Sequence, residues 1–503
     1  MATLGVTALF GVPGSGLSLQ LITALEARGI PFFGTCHESA AAIMAGAFGR
    51  VGGAFGCCIS IKGPGLANMM PGILSNAYES LPVLSLSEAY AAEANPRAHK
   101  RLNHSATLAG CAKAYAGLDA TVSLARLKAI AEDEVPGPVH MDLAPQGGML
   151  RRSSQWTQKT SSFSDALQRV RRAARPVVIA GSLSTRRLWG KALSSLRVPM
   201  LTTVAAKGVV NESAQHSAGI FTGDGKAASP EVLLLRDADL VVGLGLRNVE
   251  VLTPHTFGVP SVLFDAVGVS WGFQSSVFVT GTSDDEFEHI IEHLAEREWG
   301  ADVVDRAKTH VSRLLTADDW LPGRAMEILQ AALPPPTRLV VDTGAFCTVA
   351  EHLWTAADPS RFIASANGRF MGTSVPMAIG AALADAASPV LCMVGDGGIR
   401  VSIGELKLAS SLQLPLLLVL LSDGRYGSIA AAPSARGLSR QAVKIPQPSW
   451  VAAIEALGFA AVEVRSAPAL EAAVQQWSTR RTPMFIEAVF DAERYETMTD
   501  NVR

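Results

Sequence analysis

Short, almost purely aliphatic runs alternate with alanine-rich stretches of helical period along nearly the whole chain, as in Ala173-Ala-Arg-Pro-Val-Val-Ile-Ala-Gly181 and Leu416 to Leu421. A strand that is apolar at every position must bury both faces, so this alternation predicts parallel sheets flanked by crossover helices, an α/β architecture. The pattern occurs three times, interrupted by two polar or proline-bearing stretches, Arg151 to Ser164 and Leu321 to Pro336. Because 503 residues exceed what one core supports, we expect three consecutive domains, at 1–155, 165–320 and 330–503.

Composition narrows the function classes. With 48% hydrophobic and 17% charged residues the chain is too apolar to be disordered. A net charge of −2 without any long basic cluster argues against a nucleic-acid partner. The apolar run Leu416 to Leu421 is far short of the roughly 20 residues that cross a bilayer, and no signal-like N-terminus stands out, so a cytoplasmic protein without a membrane partner is expected. Six cysteines without a Cys-x-x-Cys spacing read as buried free thiols.

The sharpest chemical signal is Val394-Gly395-Asp396-Gly397-Gly398, with Asp423 following 27 residues after Asp396 in Leu420-Leu-Ser-Asp423-Gly-Arg-Tyr-Gly427. Each piece closes an apolar strand, and ligands of open parallel sheets sit outside the carboxyl ends of the strands. Two carboxylates there can converge on an oxygen-seeking cation. Glycines without Cβ atoms let backbone N–H groups approach phosphate oxygens, helped by a helix expected to begin near Ser402. The ligand this predicts is a metal-bridged diphosphate.

In its spacing, the 394–427 stretch resembles the cofactor signature of thiamine-diphosphate-dependent enzymes of the acetolactate synthase and benzoylformate decarboxylase superfamily, with Ser422-Asp423 where the family has an Asn pair. The N-terminal segment carries the same resemblance. Gly34-Thr-Cys-His-Glu38-Ser-Ala-Ala-Ala-Ile-Met-Ala-Gly46 is similar to the family's run around its activating glutamate, flanked by Phe10-Gly-Val-Pro-Gly14 and Gly63-Pro-Gly65-x-x-Asn68. The resemblance covers nearly the whole chain, to Pro483–Val489 and the 495–503 tail.

It implies three doubly wound parallel-sheet domains, pyrimidine-binding, central and diphosphate-binding, with thiamine diphosphate and Mg²⁺ as cofactors. Glu38 would activate the aminopyrimidine ring; Asp396, Asp423 and the Arg425 carbonyl would hold the metal. Gly395, Gly397, Gly398, Tyr426 and Gly427 would bind the cofactor, and Met371 would brace it in a bent form. Near the reacting centre, Ser15, Lys62, His99 and His104 are further catalytic candidates. The implied activity is decarboxylation of a 2-oxoacid, carboligation to an aldehyde, or both, through an enamine intermediate. The family builds its sites from opposing chains, so a homodimer or homotetramer is implied.

Two other readings stand beside this one. An acetolactate-synthase-like transferase would condense two 2-oxoacids with FAD in the central domain; but Gly243-Leu-Gly245 lacks the third glycine of a dinucleotide fingerprint, and Ser428-Ile-Ala-Ala-Ala-Pro-Ser434 lacks the Gln and Trp those synthases place there. FAD is therefore disfavoured. A non-catalytic paralogue serving as a binding or assembly subunit is the third reading, prompted by Gly398 for the common Ser and Asp423 for Asn. The chain starts only a few residues before Phe10, so the helix that usually precedes the first strand is expected to be short or missing. His289-Ile-Ile-Glu-His293 has a zinc-peptidase form but reads as a solvated helix face.

Overall fold

The computed structural model describes residues 1–503 except 92–97, 119–122, 147–148, 152–159, 255, 269–271, 274–275 and 447, with the backbone alone described at 151 and 431–435. Three sheets follow one another along the chain. The N-terminal sheet contains β1 (Leu9–Gly11), β2 (Phe32–Gly34), β3 (Gly56–Ser60), β4 (Val83–Ser87), β5 (Ala114–Gly117), β6 (Val139–Asp142) and β7 (Met149–Arg151). The central sheet contains β8 (Pro176–Ala180), β9 (Met200–Thr202), β10 (Ser217–Ile220), β11 (Leu240–Leu244), β12 (Ser261–Asp265) and β13 (Val277–Thr280). The C-terminal sheet contains β14 (Arg338–Val341), β15 (Phe362–Ala364), β16 (Val390–Gly395), β17 (Leu416–Ser422), β18 (Ala460–Val464) and β19 (Met484–Val489).

All pairings are parallel except that of β7, which runs antiparallel to β5 at the sheet edge. The first and third sheets share one winding: β2-β1-β3-β4-β6-β5 corresponds strand for strand to β15-β14-β16-β17-β19-β18. The central sheet is wound differently, β10-β9-β8-β11-β12-β13. Each order has a point where consecutive connections leave in opposite directions, between β1 and β3, β8 and β11, and β14 and β16. Crevices open there beyond the carboxyl ends of the strands.

The outer domains pack through two helices of small residues, Glu38–Gly52 and Ser374–Ala384. Gly380 is what permits the approach: a Cβ on it would stand 2.4 Å from the carbonyl oxygen of Met44. One apolar cluster therefore runs continuously from Ala40–Met44 through Val375 and Ile379 to Val390 and Leu418.

Within the second boundary stretch, Pro322–Ala332 is a helix with proline in its first turn, where the missing N–H costs nothing. One expectation needs correction. The helix expected near Ser402 starts at Asp396 itself, and Gly395 is its N-cap. Most of the first boundary stretch, 152–159, lies outside the described residues. Five of the six free cysteines are buried, but Cys36 is exposed.

Candidate functional site

β16 and β17 pair in register up to Gly395 opposite Leu421, so the residues that follow them emerge side by side. Asp396 Oδ2 accepts the backbone N–H groups of Asp423 and Gly424 at 2.8 and 2.9 Å, while Oδ1 accepts the Ser422 hydroxyl at 3.1 Å. Asp423 in turn accepts the Arg425 N–H at 3.0 Å. Burial and the neighbouring Asp396 charge push the Asp423 carboxyl up to about 7. Two carboxyls crowded in this way resist joint ionisation unless a cation joins them.

Because the helix begins at Asp396, Gly397 and Gly398 lie in its first turn, whose N–H groups have no partner within the helix. A Cβ on Gly397 would stand 2.7 Å from both Met371 Sδ and Tyr426 Cε1, so those two side chains close directly onto the glycine backbone. Thr343 to Phe346, Met371, Gly395 to Gly398, Asp423 and Arg425 to Ser428 bound one small cavity of about 50 Å³, with Tyr495 behind it. Oxygen donors beside the N–H groups of a helix's first turn are the donor set that a divalent cation and a diphosphate require.

Asp342, at the end of β14, was not singled out from the sequence. Its carboxylate accepts the N–H groups of Gly372 at 2.9 Å and Thr373 at 3.3 Å, which ties down the loop carrying Met371. Burial pushes it up to about 7. It also accounts for Gly398: a Cβ there would stand 1.7 Å from Asp342 Oδ2. Gly398→Ser should therefore cost at least about 2 kcal/mol through overpacking beside a buried carboxyl. Denaturant melts of the variant against wild type check this, and equal midpoints would contradict it.

Glu38 opens its helix and is 7% exposed. Asn68 Nδ2 donates to its Oε2 at 3.1 Å, and a Cβ on Gly65 would lie 3.4 Å from its Oε1. The approach to Glu38 is fixed from the C-terminal domain. Glu405 Oε1 accepts the N–H groups of Cys36 and His37 at 3.1 and 3.0 Å. A reciprocal clamp runs the other way, Glu79 accepting the N–H groups of Ala366, Asn367 and Gly368 just before Met371. Sequence reasoning placed Glu405 on the helix that follows Gly395 to Gly398 but gave it no partner, and it did not single out Glu79.

The remaining candidates separate. Lys62 is half-buried, 3.3 Å from Glu88 and 5.2 Å from the centre of the Tyr90 ring. Ser15 is exposed on the loop after β1, and it is Ser18 that binds Glu88, through its hydroxyl at 2.7 Å and its N–H at 2.9 Å. His99 is exposed; its carbonyl accepts the Tyr90 hydroxyl. His104 is buried with both ring nitrogens engaged, Nδ1 2.7 Å from Asp142 and Nε2 accepting the Gly63 N–H at 3.1 Å. Asp142 also receives His140 Nε2 and the Tyr115 hydroxyl, and these hydrogen bonds hold it down at about 2 despite burial.

In the central domain the switch-point crevice is filled by the chain itself. Glu250 is buried there, accepting the Ser182 N–H at 2.8 Å and the hydroxyls of Ser182 and Thr203 at 2.5 and 2.7 Å. Arg247 forms a two-pronged pair with Asp265, 2.8 Å on each side, and a third bond to Glu134 of the N-terminal domain. A nucleotide phosphate would meet the Glu250 carboxylate, so these residues do not fit FAD at this crevice. His293 of the zinc-like sequence accepts from Arg171 Nε at 3.0 Å, and among the described residues it belongs to no cluster of three metal-ligating side chains.

Comparison with known proteins agrees with this geometry. Residues 1–107, 163–261 and 342–488 match the N-terminal TPP binding, central and C-terminal TPP binding domains of thiamine pyrophosphate enzymes. The chain belongs to the thiamine pyrophosphate enzyme family, on its acetolactate-synthase-like branch. Among its relatives, a probable 2-ketoarginine decarboxylase of Pseudomonas aeruginosa is 26% identical over 475 residues, covering 85% of this chain and 81% of that protein. An acetolactate synthase of Bacillus subtilis is 25% identical over 534 residues, covering 97% and 91%. A putative thiamine pyrophosphate-containing protein of the same organism is 23% identical over 542 residues, covering 97% and 90%. No described helix is long and apolar enough to cross a membrane.

Proposed function

We propose that this chain decarboxylates a 2-oxoacid, with release of an aldehyde or its transfer to a carbonyl acceptor, using thiamine diphosphate and Mg²⁺. The observation that carries the reading is the Asp396 and Asp423 pair, converging beside the open first turn at Gly397 and Gly398. Asp396, Asp423 and the Arg425 carbonyl would hold the cation. The glycine turn would hold the diphosphate, and Met371 with Tyr426 would pack against the bound ring system. When bound, thiamine diphosphate supplies the electron sink that lets a 2-oxoacid lose CO₂. Glu38, whose Oε2 accepts from Asn68 Nδ2, would hold a proton at the aminopyrimidine nitrogen.

The described residues around the small diphosphate cavity all belong to the C-terminal domain, and Glu38 is not among them. We therefore place Glu38 of one copy against the metal site of another, in a homodimer or dimer of dimers. The exposed apolar side chains Leu17, Leu19, Met371, Val401 and Ile429, close in sequence to the two half-sites, supply surface for such a contact.

Two of the three relatives carry an activity in their names, one 2-ketoarginine decarboxylation and the other acetolactate synthesis. Glu250 occupies the central crevice, so on either reading flavin is not expected there. The purified protein should therefore be colourless; a stoichiometric visible flavin spectrum would contradict this. The reading itself is tested by following CO₂ release from a panel of 2-oxoacids with thiamine diphosphate and Mg²⁺ present. Release from none of them would overturn it.

A further inference from the structure

A second cavity, of about 420 Å³, opens beside Lys62 beyond the carboxyl ends of β4 and β6. Its lining includes Lys62, Lys100, Arg101, Tyr90 and Gln146, with His104 and Asp142 also contributing. Neither the metal site nor the glycine turn uses it. Asp142 is the one acid among the described lining residues, and its oxygens are already taken by His104, His140 and Tyr115. Glu88, behind the wall, offsets Lys62. Counting both acids against Lys62, Lys100 and Arg101, the described surroundings keep an excess of positive charge with His104 and His140 neutral. Burial lowers the His140 pKa, and His104 Nε2 acts as an acceptor, in keeping with that state.

One turn joins this cavity to the Glu38 half-site. Lys62 lines the cavity, and Gly65 touches Glu38. Three Cα steps separate them, at most about 11 Å. Gly63, at φ 63°, lies so close to the Lys100 carbonyl that a Cβ would stand 2.0 Å from it, so the cationic segment is pressed directly onto the turn. The wall is braced as well: the Tyr90 hydroxyl donates to the His99 carbonyl at 2.8 Å, and Gln146 Nε2 donates to the Tyr90 carbonyl at 2.7 Å.

We propose that this cavity receives a second anionic group at the far end of the substrate, so that the preferred 2-oxoacid carries a terminal carboxylate, sulfonate or phosphonate. The inference rests on the 2-oxoacid reading above and adds the substrate's class to it. A carboxylate in the cavity would exchange water for charge-assisted hydrogen bonds from Lys62, Lys100 or Arg101. A terminal ammonium would meet like charge.

The test compares 2-oxopentanoate with 2-oxoglutarate, equal in chain length, on the holoenzyme. The diacid should have the higher kcat/KM by about tenfold or more, the worth of one charge-assisted contact. In the Lys100→Gln, Arg101→Gln double variant that preference should vanish through KM, with kcat for 2-oxopentanoate retained. Analogues ending in sulfonate or phosphonate identify which anion is favoured. Calorimetry with glutarate, which has no 2-oxo group, reads the cavity without turnover: it should bind wild type and lose affinity in the double variant. Equal or better use of 2-oxopentanoate, or an unchanged preference in the double variant, would overturn the proposal. If neither oxoacid reacts, the decarboxylase reading fails, and glutarate binding still decides whether the cavity takes an anion.

Discussion

Glu38→Gln should lower turnover by roughly two to four orders of magnitude, the usual contribution of a positioned acid or base, while leaving the fold and cofactor affinity nearly intact. The substitution is close to isosteric, and the amide oxygen can still accept from Asn68 Nδ2, now 3.1 Å from the carboxylate. No other charged partner of Glu38 is described, so the change leaves no buried ion unpaired. Thermal midpoints and thiamine diphosphate affinity should move little, and kcat should carry the loss. Turnover within threefold of wild type would remove Glu38 from the chemistry.

Asp396→Ala should have an equally large effect on a different quantity. Asp396 organises the whole turn after β17, accepting from Asp423, Gly424 and Ser422. On the proposed reading a bound metal would lose one ligand and the arrangement of another, so Mg²⁺-dependent binding should disappear. Asp423 gives the pH dependence. Its carboxyl is raised in the folded protein to about 7, so a proton there favours the folded metal-free state. That contribution is complete below the unfolded carboxyl range and fades as pH rises through about 7. On the proposed reading a bound Mg²⁺ would have to displace that proton, and its affinity should fall by about tenfold between pH 8 and pH 6. Asp423→Asn keeps an oxygen donor but cannot hold the proton, so it should retain binding and flatten the pH dependence. Thermal shifts with and without Mg²⁺ across that range check both variants.

Where a candidate group lies on one continuous segment, the sequence pointed to it. Asp396 and Asp423 follow directly from two apolar strands, and parallel pairing brings their ends level. Glu38 heads a run of small residues that had to be a buried helix. The three-part α/β layout was legible because each parallel strand buries both faces. What stayed hidden depends on distant residues meeting. Glu405 bonds Cys36 across 369 positions, Glu79 reaches Gly368 across 289, and Asp342 explains Gly398 only once β14 and β16 are neighbours. Glu405 stood in the signature stretch, but no local pattern marks what these acids bind. The Glu250 plug and the His104–Asp142–His140 network were invisible for the same reason. Ser15 and Ser18 show the limit of motif spacing: the motif pointed to one serine, and the helix turn presents the other to Glu88.

The central claim is that the Asp396 and Asp423 pair exists to hold a cation that bridges a diphosphate. Calorimetric titration of metal-free protein with thiamine diphosphate, with and without Mg²⁺, tests it most directly. Tight binding that appears only with Mg²⁺, and is lost in Asp396→Ala, is the result this account predicts. Absence of binding under both conditions would contradict it, and would leave a member of the family that kept the three sheets but serves as a binding or assembly subunit.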